Sequence, residues 1–181
     1  MDWFEKQKLD NVVSFFAEKH KELTNKNLSQ TFLYKYLAFL DFTYLKKVGH
    51  PSLNLKYLAM ERGPVPIDIY KNKNNLKSEL YEFENIKDDI YIVHSKRKAD
   101  LDYLDSEEIK IMRALLNKYA HDYATASEIS EDSHKEIKAW IKAFNVKKNQ
   151  PMKYEDELEF SENNLTFEEE AFKVWQSLHA I

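Results

Sequence analysis

The stretch of sequence that decides the fold is residues 28–70, LSQTFLYKYLAFLDFTYLKKVGHPSLNLKYLAMERGPVPIDIY, which contains both glycines and three of the four prolines of the chain. Between Phe32 and Leu45, only Lys35, Asp41 and Thr43 are plainly polar. A helix that is apolar nearly all round is buried inside a protein rather than laid on its surface. The sequence therefore predicts a buried central helix in this stretch.

Breaks and turn signals follow this helix. The residues GHPS at 49–52 end the helical pattern, and a short helical segment is predicted around Leu53 to Met60. The residues RGPVP at 62–66 then lead into a further predicted helix from Ile67 to about Leu80. Because glycine is so rare in this chain, we expect Gly63 to need a positive φ or the close approach of another segment. The two prolines after it make the turn rigid.

Helical patterns also occupy both ends of the chain. The first helix is predicted from about Trp3 to Leu23, and helix start signals recur at Asp105, Thr125, Ser133 and Thr166. Residues that favour strands, between Leu80 and Lys96, predict one small β-hairpin. We therefore predict a mainly α (α+β) fold, a single domain over residues 1–181, with an N-terminal helix 1–24 and a C-terminal extension 151–181 packed on its core.

Composition limits the possible functions. The 181 residues are 43% hydrophobic, enough for a full core, and the net charge of −4 gives no general attraction to nucleic acid. Residues 101–181 carry 17 acidic and 10 basic side chains, and acids such as Glu155, Asp156 and Glu157 are expected to meet a basic partner. The lack of cysteine excludes disulfides and thiolate metal sites. No signal peptide or membrane span is visible, so we expect a soluble, cytoplasmic protein without membrane contact.

Asp41 is the first candidate site residue, because a carboxylate on an apolar helix must be hydrogen-bonded, paired or exposed. We expect it to accept hydrogen bonds from amides of the Gly63 to Pro66 turn or to pair with Arg62. A catalytic acid or base would need a second titratable group in a cleft, and the sequence identifies none. The structural interpretation is therefore favoured.

His134 is the second candidate, since Trp140 follows it on a predicted helix. A histidine in this setting is more often a hydrogen-bonded structural residue than a site. The six histidines do not show the helical spacings of zinc ligands, and glycine-rich nucleotide motifs are absent. We expect no metal, no cofactor and no enzymatic activity.

Several of these segments together resemble a known family. They are LYKYLAFLDF at 33–42, KKVG at 46–49, Tyr57, GPVP at 63–66, the helical pattern from Leu104 to Tyr119, ASEIS at 126–130, SHKE at 133–136 and Trp140. In this order they resemble the Panacea domain of the SocA-like antitoxins, a phage-associated domain formerly of unknown function. The resemblance covers a core of about residues 28–145. The family's tryptophan usually follows its histidine more closely than Trp140 follows His134.

The resemblance implies a mostly helical antitoxin of a bacterial or phage toxin-antitoxin system. Such a protein neutralises a cognate toxin by direct binding, and some members act as adaptors that deliver the toxin to a protease. The toxin is expected from the adjacent gene. The family motif would maintain the scaffold and leave the toxin-binding surface undefined. Its residues here are Asp41, Tyr57, Arg62, Gly63, Pro64, Val65, Pro66, His134 and Trp140.

Two other classes stay open. A DNA-binding regulator of its own operon needs a basic recognition helix, yet the stretch from Lys71 to Lys77 is diluted and that from Lys96 to Lys98 is short. Nucleic acid is therefore not expected as a partner. A small-ligand-binding protein or hydrolase needs a pocket near Asp41, Arg62, Tyr57 and His134. Salt-dependent DNA binding would support the first class, and a ligand-induced rise in melting temperature the second.

Overall fold

The central helix is the element around which the others are arranged. A computed structural model describes residues 2–76, 78–160 and 164–179, and in it helix α2 covers Gln30–Val48. From Phe32 to Leu45 every residue is buried except Thr43, which is half-buried. The Ser29 hydroxyl accepts a hydrogen bond from the Phe32 amide (3.4 Å) at the start of the helix, and Gly49 ends it with a φ of 89°. The predicted buried helix is confirmed.

The other helices pack around α2, and their bounds largely follow the predicted start signals. They are α1 (Trp3–Thr24), α3 (Ile67–Asn72), α4 (Ser106–Tyr119), α5 (Ala126–Glu136), α6 (Lys138–Val146) and α7 (Phe167–His179). Helices α1, α4, α5 and α7 all contact α2. One hydrophobic cluster extends from Leu9 in α1 to Phe172 in α7. The mainly helical fold class is confirmed.

The predicted hairpin forms the larger of two small sheets. Strands β4 (Tyr81–Lys87) and β5 (Ile90–Ser95) pair antiparallel, and β1 (Leu28–Ser29) joins the other edge of β5. Asp88 and Asp89 have positive φ values of 39° and 64° at the hairpin turn. Such a backbone matches the twist of a two-residue hairpin connection.

The second sheet was not predicted. Its strands are β2 (Tyr57–Met60), β3 (Gly63–Pro66) and β6 (Gln150–Pro151), in the order β3-β2-β6, all antiparallel. The helical segment predicted around Leu53 to Met60 is therefore wrong. Leucine, alanine and methionine favour a helix, but pairing with β3 and with β6 far along the chain overrides this local preference.

Three predicted boundaries also need correction. Helix α3 begins at Ile67 as predicted but ends at Asn72 rather than near Leu80. Ser133 and His134 do not open a helix, because they lie in the last turns of α5, and α6 starts at Lys138. Lys77, at the end of one basic stretch, and the last two residues of the C-terminal extension lie outside the described residues.

The C-terminal extension follows β6 and contains α7. After β6 it forms a 3-10 turn over Tyr154–Glu157. Thr166 then caps α7 as predicted: its hydroxyl accepts from the Glu169 amide (3.3 Å), and its own amide donates to the Glu169 carboxylate (2.7 Å). Within the described residues, no helix has both the length and the apolar composition needed to cross a membrane.

Candidate functional site

Asp41 is the fully buried centre of a polar cluster. Its Oδ1 accepts from the Leu53 amide (2.5 Å), and its Oδ2 accepts from the Leu55 amide (3.3 Å) and the Tyr57 hydroxyl (2.8 Å). The Tyr154 hydroxyl lies 3.1 Å from the same Oδ2 and 2.7 Å from the Leu55 carbonyl oxygen. Burial raises the pKa of Asp41 to about 6, and these donors oppose a further rise. At neutral pH the carboxylate is therefore ionised and held by convergent donors.

These partners differ from the predicted ones. Neither an amide of the Gly63 to Pro66 turn nor Arg62 is hydrogen-bonded to Asp41; its carboxylate instead holds the Leu53 and Leu55 amides in the irregular segment between α2 and β2, where Asn54 has a φ of 52°. Tyr154 comes from 113 positions further along the chain, and no local sequence signal indicates that contact. The prediction that Asp41 must be hydrogen-bonded is right, and the prediction of its donors is wrong.

Gly63 has both a positive φ and the close approach of other segments, either of which the sequence predicted. Its φ is +95°, and a Cβ added there would lie 2.4 Å from Ser133 Oγ and 2.8 Å from Lys35 Cε. An L side chain is thus excluded by backbone conformation and by space. The tight packing brings β3, α2 and α5 together at one point.

Lys35 is a buried cation beside Gly63, and it was not among the predicted site residues. The residue is only 1% exposed, and its Nζ donates to the Pro64 carbonyl oxygen (3.0 Å). Among the ion pairs formed by described residues, none involves Lys35, so burial lowers its pKa to about 7. The sequence does indicate a buried cation, because Lys35 is the one lysine in the apolar run from Phe32 to Leu45.

His134, which follows Ser133 in α5, forms an aromatic stack with Trp140. The rings of His134 and Trp140 are 4.0 Å apart and nearly parallel, and Phe144 continues the stack at 4.5 Å. Trp140 Nε1 donates to the Met60 carbonyl oxygen (3.1 Å). Nε2 of His134 is buried and, within the described part of the chain, has no hydrogen-bond partner. The histidine is held by stacking instead of the expected hydrogen bond.

Comparison with known proteins identifies the family of this chain. The model of the antitoxin SocA-like family, Panacea domain, matches residues 33–141, which is more than half of the chain. This protein belongs to the SocA-like antitoxin family. No curated protein and no solved structure matches the chain.

The Panacea domain contains all nine motif residues, and the fold places the Asp41–Tyr57 pair and the His134–Trp140 stack in two separate clusters. Tyr57 at the start of β2 joins Asp41, whereas Met60 at its end accepts the hydrogen bond from Trp140. Three residue steps along the strand separate these points by about 10 Å. Tyr154, which completes the Asp41 cluster, lies outside the matched region.

Arg62 does not join either cluster. It is exposed and lines a cleft of about 390 Å³ in the Panacea domain, together with Glu61, Glu131 and His134. The cleft is therefore lined by two acidic side chains and one arginine. The nearby hydroxyls are used inside α5, because Ser130 Oγ donates to the Ala126 carbonyl oxygen (2.7 Å) and Ser133 Oγ to the Ser130 carbonyl oxygen (2.6 Å). Neither serine hydroxyl is hydrogen-bonded to His134 as the nucleophile of a catalytic pair would be.

Among the side chains that line the cleft, His134 is a titratable group near the buried cation Lys35. Burial lowers the pKa of His134, and the charge of Lys35 lowers it further. Among the described residues, no group of three or more histidine, aspartate and glutamate side chains is placed to hold a metal ion.

The acidic segment predicted to meet a partner is mostly engaged within the molecule. Glu157 is 2% exposed, accepts from the Ala139 amide (2.9 Å) and pairs with Lys46 (3.1 Å). Asp156 lies 3.9 Å from Lys142. The expectation that Glu157 is a free surface acid is therefore wrong.

Proposed function

We propose that this protein neutralises a cognate toxin by direct protein–protein binding. The observation that carries the proposal is that a SocA-like antitoxin domain occupies residues 33–141. The toxin is a protein encoded by the adjacent gene, and both proteins act in the cytoplasm. In this proposal the protein is not an enzyme and needs no cofactor, nucleic acid or membrane.

The geometry of most motif residues supports a scaffold role for them, and the exposed Arg62 is the exception. Asp41 and Tyr57 are fully buried and hydrogen-bonded to each other, and Gly63 is in contact with side chains on two helices. Groups enclosed in this way are inaccessible to a macromolecular partner. The motif residues would then maintain the shape of the Panacea domain, including the packing of residues 1–24 and 151–181 on it, while toxin choice depends on exposed residues.

The experiment is co-expression of this chain with the neighbouring gene under separate promoters. We expect the neighbouring protein to stop growth alone and the pair to restore it. Two control variants separate scaffold from chemistry: His134→Gln keeps a polar side chain at the cleft, and Tyr57→Phe removes one donor to Asp41. Rescue should follow the amount of folded protein in both. Loss of rescue by a fully folded His134→Gln protein would instead indicate chemistry at the cleft.

An adaptor role is a finer form of the same proposal. If this protein delivers its toxin to a protease, the toxin should disappear faster when both are present, and removal of the protease should restore its level. If binding alone neutralises the toxin, its amount should stay constant during rescue. Quantitative immunoblots after a block of protein synthesis distinguish the two modes.

A further inference from the structure

Helix α7 carries three large apolar side chains that are exposed in the part of the chain that the structure describes. Phe167, Val174 and Leu178 are 74%, 60% and 75% exposed, and Ala171 between them is half-buried. Their spacing of four, three and four residues places them on one side of the helix, over about 16 Å. Single exposed apolar residues are ordinary, whereas an ordered row of them marks an interaction surface. We call Phe167, Val174 and Leu178 the α7 stripe; Ala171 lies between them and packs against Gly49.

The stripe is additional to the face that attaches α7 to the core. Phe172 is 1% exposed, and Trp175 stacks on it at 5.6 Å. At Gly49 an added Cβ would lie 2.5 Å from Ala171 Cβ and 2.6 Å from the Glu168 carbonyl oxygen. This close approach, together with the Thr166 cap, holds α7 firmly against the end of α2. The stripe is therefore presented on a preformed helix, which lowers the entropic cost of binding.

Charge around the stripe indicates the kind of partner. Residues 150–179 contain eight acidic residues and two lysines. The acids described at positions 155–159 have lysine partners, such as Glu159 with Lys138 (2.5 Å). Within residues 2–76, 78–160 and 164–179, no ion pair involves Glu168 or Glu170, which accompany the stripe in the first turn of α7. A second copy of the chain would bring the same negative charge to this face, so a basic partner fits it better.

We propose that the α7 stripe inserts into an apolar groove with a lysine- and arginine-rich rim on the toxin. The inference rests on the proposed function and adds the surface and the chemistry of the partner to it. An amphipathic helix binds in a groove through apolar anchors that share one face over successive turns, and the stripe places its anchors at positions i, i+7 and i+11 of one face. The apolar residues supply affinity, and the acids Glu168 and Glu170 raise the association rate.

The test compares two alanine variants of the full chain for binding to the purified product of the neighbouring gene. The first replaces the exposed stripe residues, Phe167→Ala, Val174→Ala and Leu178→Ala. The matched control, Ile86→Ala with Ile90→Ala, removes two apolar side chains at the hairpin tip that are 53% and 50% exposed. We expect the stripe variant to bind at least tenfold more weakly at an unchanged melting temperature. The hairpin variant should bind like the unmodified protein.

Each result of this binding test either supports the stripe inference or overturns it. If the unmodified chain binds and the stripe variant binds equally well, the stripe inference fails and the proposed function stands. If the unmodified chain forms no complex, both fail. A dimer of the chain alone, converted to monomer by the stripe substitutions in light scattering, would show a second copy as the occupant and overturn the inference. Glu170→Lys gives an independent reading, because it should slow association and weaken its dependence on salt without changing the fold.

Discussion

Lys35 allows a sharp test of the buried packing around Gly63. Its pKa is lowered from the usual 10.5 to about 7 by burial, so between pH 7 and 9 the unfolded chain holds a proton that the folded protein loses. Stability must therefore rise with pH in this window, because the unfolded state binds more protons. Integrating the difference in proton binding from pH 7 to pH 9 gives a rise of about 2 kcal/mol in the free energy of unfolding.

The perturbation is Lys35→Met, which keeps an unbranched side chain but removes the charge. Losing the hydrogen bond to the Pro64 carbonyl oxygen changes stability at every pH, but the rise between pH 7 and 9 should disappear. Urea unfolding followed by circular dichroism at pH 7, 8 and 9 measures this directly. The control is Lys71→Met on the exposed side of α3, which should keep the rise. Parallel curves for the unmodified protein and Lys35→Met would refute the reasoning.

Further predictions concern the other buried contacts, each measured by chemical denaturation. Gly63→Ala should lower the free energy of unfolding by about 2–4 kcal/mol, because a positive φ is strained for alanine and the new Cβ meets Ser133 Oγ. Adding Ser133→Ala should recover part of this loss. Full stability of the Gly63→Ala protein would contradict the packing. Asp41→Ala should cost about 3–5 kcal/mol, because it leaves two amides and the Tyr57 hydroxyl without their acceptor. Tyr154→Phe should lower the free energy of unfolding by only about 1 kcal/mol, since the Asp41 carboxylate keeps its other donors. Equal losses of stability for Asp41→Ala and Tyr154→Phe would contradict this arrangement.

Much of the helical framework could be predicted from local sequence. Burial of α2 follows from its apolar circumference, and the helix starts follow from capping residues such as Ser29, Asp105 and Thr166. The need for glycine at position 63 follows from the scarcity of glycine elsewhere. These features depend on the preferences of a few adjacent residues, which a single sequence displays.

The remaining features depend on contacts between distant parts of the chain. Tyr57–Met60 becomes a strand because β3 and β6 pair with it, although its residues favour a helix. The Asp41 cluster needs Tyr154, and the cleft needs α5 beside the β2–β3 turn. Even where the polar residue was visible, as with Lys35, the sequence did not show that its charge lacks a carboxylate partner. Long-range pairing of this kind leaves no local pattern to interpret.

The most direct test of the antitoxin function is the state of the toxin in rescued cells. The protein is purified through an affinity tag from cells that co-express the neighbouring gene, followed by gel filtration and intact mass spectrometry. We predict that the toxin co-elutes with this chain as a stable complex and has its unmodified mass. Rescue in which the toxin runs alone, with a changed mass, would contradict direct binding and indicate an enzyme that acts on the toxin.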